Sequence, residues 1–314
     1  MKVLIKKFLI FSIFNAIMIG YTGKINAYGG ITESMFDNAA RKGSTILLRC
    51  LLFLGANQNI KNRALAVALA NKQKKVANLM LNKGADINGE HLGKKPIHFA
   101  VSNPEMTEFA LEHGADAKAK DVNGMTPLMW WTKGDNPTES AELLLKKGAG
   151  TFAQDLKGST ALFHAIFEGN NTAVDFLLNH GANPKTEDKQ GFNALMAAAI
   201  FGNAETLRLL LKKNVPVNDT NLNGETPFML AIFSGKLENA RILYDEGKAN
   251  IRATTLQGHD ALCLATLTGN IPAIQLCVEL GLDPFKANRS SISAYDIAKR
   301  SGNDEIRNFF DNMK

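Results

Sequence analysis

Apolar and polar positions along this chain recur in blocks. Apolar clusters such as FLL (176–178), LRLLL (207–211) and IQLCV (274–278) each close on a Gly-Ala marker or a degenerate copy of it. The markers stand at Gly55, Gly84, Gly114, Gly148, Gly181, Asn214, Gly247 and Gly281, spaced 29, 30, 34, 33, 33, 33 and 34 residues apart. A period near 33 predicts stacked copies of one small supersecondary unit.

The pattern inside one period predicts two helices. About eighteen residues before each marker lie the tetrapeptides TPLM (126–129), TALF (160–163), NALM (193–196), TPFM (226–229) and DALC (260–263). Their leading Thr, Asn or Asp is a helix N-cap, and Pro in two of them suits the first helical position. The first helix is short, because Gly169, Gly202, Gly235 and Gly269 follow six residues after the fourth letter, where glycine supplies a left-handed C-cap. The second helix carries the apolar cluster and ends at the marker; Asn214 replaces Gly with the other residue that enters the left-handed region cheaply. Between pairs lie DVNG (121–124), DLKG (155–158), DKQG (188–191), NLNG (221–224) and TLQG (255–258), which predict tight turns.

This unit of turn or hairpin, helix, loop and helix resembles the ankyrin repeat. The family's Thr-Pro-Leu-His and Leu-Leu-x-x-Gly-Ala motifs are matched most fully by KPIH (95–98), TPLM and LLLKKGA (143–149). The resemblance spans residues 28–314 and implies an all-α solenoid with short β-hairpin turns, about nine units including both caps. The units run 33–56, 62–87, 89–117, 120–150, 154–184, 187–217, 220–251, 254–284 and 287–314. The first opens with SMFDNAARKG in the manner of an N-terminal cap; the last sets Asp296, Lys299, Arg300, Asp304, Glu305 and Arg307 on an expected polar outer face. The resemblance further implies a non-catalytic scaffold that binds a partner protein through the turn tips and the concave first-helix face, and a His98 that hydrogen-bonds between repeats.

Departures from the pattern mark the candidate surface. The first turn is four residues short, copy three is two short around Pro104, and copy four is one long around Pro137. Copy four holds Trp130 and Trp131, and Trp131 stands where sister copies have Ala100, Ile166, Ala198, Ala231 and Ala265. It either fills space left by the shortened third copy or reaches a partner. Phe167, Ile200, Phe233 and Leu267 lie two before the glycines that end the first helices, forming an apolar ladder that Phe201, Phe192 and Met125 extend toward the turn tips. Contiguous exposed apolar surface marks interaction sites, the alternative being a ladder half-buried between first helices.

Composition adds a leader. Lys2, Lys6 and Lys7 precede the apolar run Phe8 to Ile19, and small residues follow near Ala27, the layout of a signal peptide over 1–27. The run is too short to span a bilayer of ~20 residues, so no stable span remains after cleavage. The expected product is exported, to a periplasm or outside the cell, as a monomer, and the Asn- and Lys-rich character fits a bacterial source. Four of 36 basic residues leave with the leader, so the remainder carries 32 against 30 acidic residues, net +2. The pairs Lys74-Lys75, Lys146-Lys147 and Lys212-Lys213 read as helix ends favourable for cations and not as a nucleic-acid stripe. Cys50, Cys263 and Cys277 read as small buried hydrophobes, with a Cys263–Cys277 bridge conceivable. No metal-ligand spacing, phosphate loop, nucleophile elbow or CxxC occurs, so no metal, cofactor or catalytic residue is assigned. The alternatives to a scaffold are a carrier of a small apolar ligand or peptide in an aromatic groove and, less favoured, an enzyme built on the repeats.

Overall fold

The computed structural model describes residues 33–288 and 291–313; the leader expected over 1–27 lies outside the described residues. Among the described residues, eighteen helices form nine helix–loop–helix pairs. They are α1 (Glu33–Arg41) with α2 (Thr45–Leu54), α3 (Gln58–Ala70) with α4 (Lys74–Asn82), α5 (Pro96–Ala100) with α6 (Pro104–Glu112), and α7 (Pro127–Trp131) with α8 (Thr138–Lys146). Then come α9 (Ala161–Phe167) with α10 (Asn171–Asn179), α11 (Ala194–Ile200) with α12 (Ala204–Lys212), and α13 (Pro227–Phe233) with α14 (Leu237–Asp245). The last pairs are α15 (Ala261–Thr268) with α16 (Ile271–Glu279) and α17 (Ala294–Ser301) with α18 (Asp304–Asp311).

The helices belong to two compact units, one of residues up to Trp131 with Asn136–Gly150, the other of Thr132–Asp135 with Thr151–Lys314. In the first, α1, α3, α5 and α7 pack in series; in the second, α9, α11, α13, α15 and α17 do so. Second helices form the outer row, α10 against α12, α12 against α14 and α14 against α16. The core is the seam between rows, where Ala100, Ala198, Ala231 and Ala265 are fully buried and let neighbouring first helices approach closely.

The turns differ from the expected hairpins. Among the described residues the only β-type pairing outside helices is one isolated bridge between His91 and Lys94. Four of the five turns named above are instead closed by their leading Asx residue, and the fifth by the Thr255 hydroxyl, which accepts from the His259 N–H at 3.2 Å. The Asp121 N–H donates to the Met125 carbonyl at 3.0 Å, while its Oδ1 accepts from the N–H groups of Asn123 and Met125 at 2.8 and 2.9 Å. Asp155, Asp188 and Asn221 repeat this arrangement. Side-chain acceptors thus supply what a strand partner would otherwise supply. Successive tips are tied by single backbone bonds, Lys189 N–H to Lys157 O at 3.0 Å and Leu222 N–H to Gln190 O at 3.1 Å. Gly158, at φ +85°, serves both features, since a Cβ there would stand 2.8 Å from the Lys189 nitrogen.

The shortened first turn is replaced outright. Asn57 caps α3 through the Ile60 N–H, and the helix starts early and runs 13 residues. Three cap expectations need correction. Gly202 is not left-handed, unlike Gly169, Gly235 and Gly269; the Phe201 N–H still bonds to Ala197 O and the Gly202 N–H to Ala198 O, so helical bonding continues through it. Glycine is needed there for room: a Cβ would lie 2.8 Å from the Ala198 carbonyl oxygen. At the end of α14 the left-handed residue is Lys248, φ +58°, and not Gly247, so the Gly-Ala counterpart is Lys248-Ala249. Asn214, at φ +53°, does take the expected conformation. Lys74-Lys75 begins α4, the wrong end for a cation; Lys74 pairs instead with Glu105 at 3.1 Å. Lys146-Lys147 and Lys212-Lys213 do end their helices.

Candidate functional site

Four apolar side chains stand out from the second unit at corresponding places on consecutive first helices. Phe167 ends α9, Phe201 caps α11, Phe233 ends α13 and Leu267 lies in the last turn of α15. They are 62%, 49%, 51% and 55% exposed. Because α9, α11, α13 and α15 pack in series, the four lie side by side, and the Phe167 and Phe201 rings meet edge-on with centroids 5.0 Å apart. The expected ladder is therefore outside the core, with one change of register. Ile200 turns partly inward and Phe201 takes its place, because helical bonding persists through Gly202 and rotates the next side chain outward.

The other expected members separate. Phe192 is half-buried on its tip, where its N–H donates to Asp188 Oδ1 at 2.9 Å. Met125 is buried and its carbonyl accepts from His98, so its side chain leaves the candidate surface. Trp131, 1% exposed, is the largest fully buried side chain. Its indole N–H donates to the Pro137 carbonyl at 2.9 Å, and its own carbonyl accepts from Asn136 Nδ2 at 2.7 Å. The longer loop after α7 makes the room, and the indole is core. Trp130 is half-buried: its N–H donates to Asp121 Oδ2 at 2.9 Å, and Lys94 Nζ stands 3.7 Å above its ring.

A second apolar set went unread in the sequence. Leu156, Leu222 and Leu256 of the second unit, and Leu92 and Val122 of the first, are exposed at the turn tips. The signal was present: each directly follows the closing residue, as in DLKG, NLNG and TLQG, in segments whose Asx and Gly mark them as polar turns.

Two histidines make bracing contacts within the stack. His98 is buried; its Nδ1 lies 3.1 Å from the Lys95 N–H and its Nε2 3.1 Å from Met125 O, a bridge to the following repeat. A neutral ring protonated on Nε2 satisfies both, and desolvation pushes its pKa below the ordinary value. His164 Nε2 meets Asp155 Oδ2 at 2.9 Å, bracing a tip from the position Trp130 holds one repeat earlier. Cys263 and Cys277 are buried free thiols, each pushed up to about 12 by desolvation, and therefore poor nucleophiles. Among the described residues no group of three or more His, Cys, Asp or Glu could hold a metal ion. No helix among them is long and apolar enough to cross a membrane.

A family model described as ankyrin repeats (3 copies) matches residues 36–121, 97–188, 132–221, 169–255 and 195–288, together most of the chain. Ankyrin repeat and SOCS box protein 6 of Mus musculus is 28% identical over 152 residues, 45% of this chain and 36% of that protein. Its Homo sapiens counterpart is 30% identical over 105 residues, 32% of this chain and 25% of that protein. The chain thus spans about a third or less of the length of these relatives, both eukaryotic. The matched segments coincide with the helix pairs and their Asx-closed turns, and the chain belongs to the ankyrin repeat family.

Proposed function

We propose that this protein is a non-catalytic scaffold that captures a partner protein on the second unit, against Phe167, Phe201, Phe233 and Leu267 with the tip leucines beside them. The observation that carries the reading is the exposure of four large apolar side chains in one row on consecutive helices. Soluble proteins seldom leave such a row uncovered without use. Family membership supports a protein ligand as the default occupant. The row sits on packed helices, so binding meets a surface that is mostly formed beforehand. The layout of residues 1–27 supports export to a periplasm or beyond the cell, with the chain acting as a monomer.

The test is the double variant Phe167→Ser, Phe233→Ser. Loss of partner capture with a melting temperature within a few degrees of the parent supports the scaffold. A fall of about 10 °C or more would place the two rings in the core and remove the surface from the account.

A further inference from the structure

The charge balance of +2 over residues 28–314 conceals a division along the chain. Residues 33–83, the first two helix pairs, hold nine Lys and Arg against two acids, Glu33 and Asp37; residues 84–314 hold 23 against 28. The structure gathers much of the excess at one end of those pairs. Arg41 and Lys42 lie at the α1–α2 loop, Lys72 and Lys75 at the α3–α4 loop, and all four are exposed. The loops touch: a Cβ on Gly43 would run into the Gln73 side chain. The patch stops at the next repeat, where Glu105 neutralises Lys74.

Helix α2 adds the second half. Leu47, Leu48 and Leu51 face the core, while Ile46 and Phe53, two turns apart on one face, are 68% and 50% exposed with exposed Arg49 between them. Among the described helices it packs chiefly on α1 and α4. An N-terminal cap normally turns a polar face outward. This one shows an aliphatic and an aromatic side chain set among cations, the composition that lies in a membrane interface with its apolar groups below the headgroups and its cations at the phosphates.

We propose that the outer face of α2, with the two basic loops, docks peripherally on an anionic phospholipid bilayer. Ile46 and Phe53 enter the interface, and Arg41, Lys42, Arg49, Lys72 and Lys75 meet the headgroup phosphates. A polyphosphate strand would use the cations and leave Ile46 and Phe53 without a role, which is why a lipid surface is the better occupant. The contact is independent of the scaffold face, which lies on the other unit.

The full chain carrying Cys50→Ser and Ile46→Cys labelled with an environment-sensitive nitrobenzoxadiazole reports on this face alone, whatever residues 1–32 do. Vesicles of 30% phosphatidylglycerol in phosphatidylcholine should brighten and blue-shift the label severalfold, pure phosphatidylcholine should not, and a label at Phe167→Cys should stay unchanged. Reversal of Arg41, Lys42, Lys72 and Lys75 to Glu should weaken the response at least about tenfold, and their change to Gln should weaken it less, with circular dichroism unaltered in both. Three outcomes overturn the proposal: a label that stays in water on vesicles that sediment the chain, equal response to neutral vesicles, or a label already blue-shifted without lipid. Binding of an oligonucleotide with the same charge dependence and no vesicle response would assign the patch to nucleic acid instead.

Discussion

At the scale of single residues, the fold rests on a few side chains whose geometry admits few substitutes. His98 is one. Its buried ring accepts from the Lys95 N–H and donates to Met125 O, and protonation would remove the acceptor. Burial holds the folded-state pKa below the ordinary 6.5, so below that pH the unfolded chain binds more protons than the folded one. The His98 contribution to stability is therefore constant above about pH 6.5 and is lost as pH drops through that value. Thermal melts at pH 7.5 and 5 should show a larger loss for the parent than for His98→Asn; identical losses would show that His98 does not titrate on unfolding. Lys248 is the converse case, a residue held at φ +58° where its sisters have glycine or asparagine and where its side chain is a cost. Lys248→Gly should raise stability by about 1 kcal/mol by removing the left-handed penalty, measured by urea denaturation. The cysteine reading was available from sequence, because sister repeats put Met, Phe or Leu at those places. Burial of Trp131 was one of the two readings its sequence position allowed, and it is the one that holds; the hydrogen-bond partner was not legible, since nothing in the neighbouring residues says that the following loop would carry the Pro137 carbonyl back to the indole.

At the scale of helices and turns, two glycines that look alike in sequence do different work. Gly169 ends α9 in the left-handed region, at φ +67° with open space around it. Gly202 ends α11 with ordinary dihedrals against the Ala198 backbone, and its carbonyl, with those of Ala198 and Ala199, accepts from the buried Asn239 side chain of α14. Asparagine is therefore tolerated at Gly169, at a cost of a few tenths of a kcal/mol. At Gly202 the same change should cost about 2 kcal/mol or more, because the added Cβ runs into the Ala198 backbone of the same helix and shifts the Gly202 carbonyl that Asn239 holds. Equal melting temperatures for the two variants would contradict this. The same distinction explains why the ladder was read one residue off at Ile200: periodic spacing gives the place of a cap and not its dihedrals. It also explains the turns, where Asp and Asn followed by Gly were legible as turn chemistry, but the choice between a strand pair and a side-chain closure was not.

At the scale of the whole molecule, the repeat period made the architecture legible, because a unit that cannot bury its own apolar stripe must stack on a copy of itself. The Phe167, Phe233 and Leu267 positions followed from that register. What averaging over the chain hid was segregation: apolar side chains on the turn tips, and a basic excess confined to the first two helix pairs. The central claim, that the row on the second unit receives a partner protein, is tested most directly by a photoreactive phenylalanine analogue at Phe201, irradiated in the cell where the chain resides. The account predicts a discrete protein adduct at Phe201, lost in the Phe167→Ser, Phe233→Ser background and absent when the analogue replaces exposed Phe53. A non-protein adduct at Phe201, or a protein adduct indifferent to the two serines, would contradict it.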